Sequence, residues 1–136
     1  MESVSQRCLP MASPLLLLVH GRAGGLIPPE LMALGQQLEQ ERGAPVALHA
    51  LSAGMSPAAL PESGRGQPLI LVPLLLLPGT HVRQDIPPWM EALRAAWRSA
   101  PVRRLPFVGA WPSWQRALAE EAAALSRASD MDAQGK

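Results

Sequence analysis

Four short apolar runs punctuate the chain: Leu15–Val19, Val46–Leu51, Leu69–Leu77 and a weaker Leu105–Val108 that extends back toward Val102. Within each run the hydrophobic residues are continuous rather than alternating. That is the pattern of strands covered on both faces of a parallel sheet. Leucine is a mediocre strand former, so the assignment leans on the brevity of the runs and on the Pro and Gly residues that bound them. Between the runs the period changes. Leu31, Leu34 and Leu38 follow Pro28-Pro29 at i, i+3 and i+7, and Arg42-Gly43 supplies a closing cation and a C-cap glycine. Pro87-Pro88 predicts the opening of a second helix, with Asp85 at its N-cap and Met90, Leu93 and Trp97 on one stripe. Trp114, Leu118, Ala122 and Leu125 predict a last helix, fraying through Asp130–Lys136. The segment Ser56–Gln67, with Pro57, Pro61, Gly64 and Gly66, predicts no more than a short helical turn.

The order β-α-β-(short α)-β-α-β-α predicts one α/β domain, a three-layer sandwich around a four-stranded parallel sheet with right-handed crossovers. Its expected bounds are 13–128, with a loose N-terminal arm over 1–12 and a flexible tail over 129–136. Met11 offers an alternative translation start. At 136 residues the chain has room for one such domain, and 48% hydrophobic against 17% charged residues is a globular composition. Twelve basic residues against eleven acidic ones give a net charge of +1, which argues against a nucleic-acid-coating protein. The single cysteine, Cys8, excludes a disulfide framework and a cysteine-cluster metal site within one chain, and is expected to be inert. No run approaches the roughly 20 residues of a membrane span. Leu15–Val19 is too short for a signal-peptide core and is followed by His20 and Arg22 where a cleavage site would need small residues. The expectation is a cytoplasmic protein without membrane contact.

In an open parallel sheet, ligands bind beyond the carboxyl ends of the strands. Two segments fall there: His20-Gly21-Arg22-Ala23-Gly24-Gly25 after the first run, and Pro78-Gly79-Thr80-His81-Val82-Arg83-Gln84-Asp85-Ile86-Pro87 after the third. Two of the three histidines therefore leave strand ends on one edge, where imidazole can ligate a divalent ion or move a proton near neutral pH. His49 lies inside the second run and reads as core. The glycines match neither G-x-G-x-x-G nor the Walker spacing, so nucleotide binding has no support. Leu-Val-His-Gly resembles the oxyanion strand of an α/β-hydrolase, but no serine sits in a G-x-S-x-G elbow. Trp89, Trp97, Trp111 and Trp114 read as helix-face packing rather than a stacking platform.

The second segment, extended upstream, reads V-P-L-L-L-L-P-G-T-H-V-R-Q-D-I-P over Val72–Pro87. Together with a strand ending in His20-Gly21 it resembles the small CbiX-type sirohydrochlorin chelatases, from about Leu15 to the last helix. The resemblance implies a class II, ATP-independent chelatase, a lyase that inserts Co²⁺, Ni²⁺ or Fe²⁺ into sirohydrochlorin on the routes to cobalamin, the methanogenic nickel cofactor or siroheme. It implies that His20 and His81 handle the metal, which is a substrate, and that no prosthetic group is needed. It also implies a homodimer, because short members pair to rebuild the two-domain arrangement of long ones. Sirohydrochlorin carries many carboxylates, for which Arg22 and Arg83, with Gly79 and Thr80 beside His81, are the candidate contacts. The chain departs from the family in two ways. Arg22-Ala23 stands where His-Gly is usually followed by Ser-Arg, and Ser52 stands where the family commonly has a glutamate at the end of strand two. The missing carboxylate leaves a second reading open, a CbiX-like protein that binds metal or tetrapyrrole without turnover.

Overall fold

The computed structural model describes residues 12–53, 60–61, 66–77, 79–98 and 100–134. The N-terminal arm with Cys8, and most of the Ser56–Gln67 segment, lie outside the described residues. Four strands, β1 (Leu15–Val19), β2 (Val46–Ala50), β3 (Leu69–Pro73) and β4 (Val102–Arg104), form one all-parallel sheet in the order β2-β1-β3-β4. Three helices accompany it: α1 (Pro29–Arg42), α2 (Thr80–Ala96) and α3 (Pro112–Gln134). The α/β class and the parallel sheet agree with the sequence pattern.

β1 is central and all five of its residues are buried. Its side chains alternate between two apolar clusters, one per face of the sheet. Leu16 and Leu18 join Leu69 and Leu71 beneath α2, which contributes Ile86, Trp89, Met90, Leu93 and Trp97. Leu15 and Leu17 join Val72 on the other face, against Leu38 of α1 and against Val108 and Trp111. Trp97 donates its indole N–H to Gln67 O at 3.0 Å, which closes the far end of α2. At the end of α1, Gly43 adopts φ 65° and donates to Glu39 O at 2.8 Å, the C-cap that Arg42-Gly43 predicts. The Glu39 carboxylate then accepts from Val46 N at 2.8 Å and starts β2.

Three expectations are corrected. The fourth strand is Val102–Arg104, not Leu105–Val108. Leu105 N still donates to Leu71 O at 2.9 Å, but Pro106 has no N–H and ends the ladder. The third strand stops at Pro73 rather than Leu77; Pro73 pairs with Leu18, one residue before the end of β1, and the ladder goes no further. The second helix begins at Thr80, seven residues before Pro87, and both prolines lie inside it with Asp85. The prolines remove two helical hydrogen bonds, but both are exposed, so the carbonyls they strand face water. The stripe of Val82, Ile86, Trp89, Met90, Leu93 and Trp97 on the core outweighs that loss. At the C-terminus α3 continues to Gln134, past the point where the sequence pattern ends the helix.

Candidate functional site

The sheet order places the change of direction between β1 and β3. From β1 the chain moves outward to β2, and from β3 it moves outward in the other direction to β4. Connections that leave neighbouring strands in opposite directions open a crevice between them at their carboxyl ends. The two connections at this point are β1–α1, which carries His20 and Arg22, and β3–α2, which carries Gly79, Thr80, His81 and Arg83.

His20 is the first residue after β1, and its side chain is exposed. Its backbone is fixed by the end of β2. Ser52 N donates to His20 O at 3.1 Å, and the Ser52 hydroxyl donates to Arg22 O at 2.6 Å. Arg22 N in turn donates to Leu26 O at 2.8 Å, and Gly25 N to Arg22 O at 3.0 Å, so the loop closes on itself. Gly21 has φ +79°, and a Cβ there would sit 2.5 Å from Ala50 Cβ and 2.6 Å from Ser52 Oγ. Only glycine lets the turn after His20 lie this close to β2. The Arg22 side chain is exposed.

The β3–α2 connection is anchored through its backbone. Leu74 N donates to Leu18 O at 2.8 Å, and Leu75 O accepts from Gly109 N at 3.1 Å. Gly79 is the N-cap of α2 with extended geometry and no side-chain cap. The first helical bond runs from Arg83 N to Gly79 O at 3.0 Å. The N–H groups of Thr80, His81 and Val82 thus have no partner within the helix and form its positive end. Thr80 and Arg83 are exposed, and His81 lies in the first turn. Because α2 opens at Thr80 and not at Pro87, its free amide donors are those of Thr80–Val82. The His81 side chain, and with it the expected facing of the two imidazoles, lies outside the described residues.

Two further features escape the sequence pattern. Ser52 reads there only as the place of a missing glutamate, whereas its hydroxyl and amide clamp the loop of His20. Leu76 and Leu77 read as strand, yet they stand 55% and 88% exposed on the β3–α2 connection, while Leu26 is 66% exposed on the β1–α1 connection. Each of the two site-bearing connections thus exposes leucine as well as polar side chains. The signal was available in Pro73, which ends the ladder. His49 is 5% exposed and stacks on Trp89, ring centroids 5.2 Å apart, so it faces α2 and stays out of the crevice. Trp89 and Trp97 are buried as expected. An apolar groove of about 580 Å³ lies on the α1 face of the sheet, and His20 is not among the described residues that line it. Among the described residues, no three His, Cys, Asp or Glu side chains converge on a common point, and no helix is long and apolar enough to cross a membrane.

Comparison with known proteins agrees with this geometry. The CbiX family model matches residues 14–125. The crystal structure of a protein from Marinobacter aquaeolei VT8, assigned to cobalamin (vitamin B12) biosynthesis as a CbiX protein, is similar with a TM-score of 0.55 and 21% identity. The match covers 85% of this chain and 99% of that one, and at this identity it speaks for the fold. No curated protein matches the chain by sequence. With the family pattern spanning both connections and the whole sheet, the chain belongs to the CbiX family.

Proposed function

We propose that this protein is an ATP-independent chelatase that inserts Co²⁺, Ni²⁺ or Fe²⁺ into sirohydrochlorin or a related tetrapyrrole. The observation that carries the reading is topological. His20 and His81 occupy the two connections that flank the β1/β3 crevice, the place where an open α/β sheet binds its ligand.

The chemistry follows from the residue types. A borderline divalent ion accepts imidazole ligands, and two protein ligands leave positions for water or for the incoming macrocycle. Insertion displaces two pyrrole N–H protons, and a neutral imidazole nitrogen can take one up. Arg22 and Arg83 fork onto the macrocycle's carboxylates, and the free N–H groups at Thr80–Val82, opened by Gly79, donate to another. Leu26, Leu76 and Leu77 offer the apolar rings a surface that needs no polar partner. The protein works as a homodimer, so that a second copy completes the cleft.

One observation favours the second reading, a carrier that binds metal or tetrapyrrole without turnover: Ser52 borders His20 where a carboxylate would add a ligand and a base. Absorbance during incubation with sirohydrochlorin and each metal separates the two. A chelatase gives a linear, enzyme-dependent conversion that passes many equivalents of protein. Conversion that halts at one equivalent identifies a carrier, and no change at all contradicts both.

A further inference from the structure

The two connections that flank the crevice each lean on an outer strand's end. On the β1 side that support is the end of β2, against which Gly21 presses at Ala50 and Ser52. On the β3 side the outer neighbour is β4, and the chain leaving it runs on beside the β3–α2 connection. Leu105 N donates to Leu71 O at 2.9 Å, and four residues later Gly109 N donates to Leu75 O at 3.1 Å. From the other side, Leu74 N donates to Leu18 O at 2.8 Å. The backbone at Leu74–Leu75 is thus gripped by both neighbours just before it leads to Gly79 and His81.

The contact at Gly109 is closer than its hydrogen bond requires. A Cβ there would run into Leu76 O and stand 2.6 Å from the Leu76 carbonyl carbon and 2.9 Å from its Cα. Gly109 is not among the glycines with positive φ, so backbone freedom does not account for glycine at this position. The missing side chain does. The turn that carries Gly109 is itself tied down. Ala110 N donates to Phe107 O at 2.9 Å, Trp111 N to Val108 O at 3.0 Å, the Trp111 indole N–H to Pro106 O at 2.7 Å, and Gln115 Nε2 to Gly109 O at 3.0 Å. The β3–α2 connection has no comparable hold of its own. Leu76, Leu77, Gly79 and Thr80 are all exposed, and the packing of α2 on the core begins at Val82. Backbone contact with Gly109 therefore fixes a segment that side-chain burial leaves unfixed.

We propose that Gly109 is a positioning residue for His81: its bare Cα lets the β3–α2 connection close onto the turn after β4, and this sets where the first turn of α2 stands relative to His20. The inference rests on the reading of His20 and His81 as a metal-handling pair. It gives the two outer strands matching tasks, since the end of β2 holds the loop of one histidine and the turn after β4 holds the lead-in to the other. An ordinary carbon–carbon contact is about 3.5–4 Å, so a methyl at Gly109 displaces Leu76 by on the order of 1 Å. The packed part of α2 absorbs some of that shift, and the remainder falls on a site whose metal–imidazole bonds are only about 2 Å long.

The test is titration of the full chain with Co²⁺ in the absence of tetrapyrrole. G109A should weaken Co²⁺ binding about fivefold, with an unchanged circular dichroism spectrum. G66A is the control, because a Cβ at Gly66 meets no atom within 4 Å, and it should bind Co²⁺ as the unmodified chain does. H81A/G109A should bind no more weakly than H81A, since nothing is left to position. Q115A probes the same brace without adding an atom, and so serves even where G109A does not fold. It removes the bond to Gly109 O and should weaken Co²⁺ binding about two- to threefold, again only when His81 is present. An unmodified chain that binds no Co²⁺ overturns the metal-handling pair and this inference together. A chain that binds Co²⁺ equally well with and without these substitutions overturns the inference alone. An equal loss in the presence and absence of His81 marks a general disturbance and also overturns it.

Discussion

The β1–α1 connection holds its histidine by close packing, whereas the β3–α2 connection presents its histidine from a helix. His20 sits between Val19, the last residue of a buried strand, and a glycine pressed against Ala50 and Ser52. Ser52 holds this loop with one hydrogen bond to His20 O and one to Arg22 O. His81 lies in the first turn of α2, behind Gly79 and ahead of a stripe that packs Ile86 and Trp89 into the core. One position is set by local contacts that single atoms can disturb. The other is carried by a rigid element packed on the core along a stripe from Val82 to Trp97. The two histidines proposed to handle the metal are thus carried by one delicate support and one sturdy one.

The comparison breaks first at the histidines themselves. His20→Ala and His81→Ala should each lower metal insertion at least about 100-fold, and the double variant should be little worse than either single, because the two act on one ion. Initial rates with sirohydrochlorin and Co²⁺ check this, and the thermal melt of His20→Ala should stay within a degree or two, since His20 is exposed at the end of its strand. The next effect belongs to the delicate half. Gly21→Ala should cost about 2–3 kcal/mol of stability, since positive φ and contact with Ala50 and Ser52 act together. Gly24→Ala has nearly the same φ, +78°, with no atom within 4 Å of the new methyl, and should cost only about 1 kcal/mol. Urea unfolding of the two variants separates the packing from the backbone term.

The strands, the end of α1 and the crevice are legible in the sequence because they rest on local signals: apolar runs, Arg42-Gly43, and histidines directly behind the runs. The start of α2 is not, because Pro87-Pro88 is a strong local marker and loses to a tertiary one. Val82 and Ile86 extend the stripe of Met90, Leu93 and Trp97 upstream of the prolines, and their burial outweighs two missing hydrogen bonds. Leu76 and Leu77 mislead for a related reason. Four leucines in a row resemble strand, but the chain leaves the sheet at Pro73, where partner strands run out. Ser52 is invisible as a clamp because its partners, His20 and Arg22, are thirty residues away in sequence, and only the parallel pairing of β1 and β2 brings them together.

Smaller effects sharpen the contrast. Replacing Arg22 and Arg83 by Gln should raise KM for the tetrapyrrole about tenfold, with little change in kcat, since carboxylate contacts to the periphery bind substrate and transition state alike; tenfold corresponds to about 1.4 kcal/mol. Ser52→Ala removes one hydroxyl hydrogen bond and should cost about 1 kcal/mol. Its loss of activity should match that of weakened His20 variants and leave the packing of α2 unchanged, as read by near-ultraviolet circular dichroism of Trp89 and Trp97. Ser52→Glu exchanges the clamp for a carboxylate beside His20 and should raise metal affinity, measured by titration with Co²⁺ in the absence of tetrapyrrole.

The measurement that tests the central claim most directly counts product per protein chain. Sirohydrochlorin and Co²⁺ are mixed with catalytic amounts of the unmodified chain and, in parallel, of the H20A/H81A variant, and metallated product is followed by absorbance. The account predicts many equivalents from the unmodified chain and the uncatalysed rate from the variant. Equal rates in the two samples would contradict it.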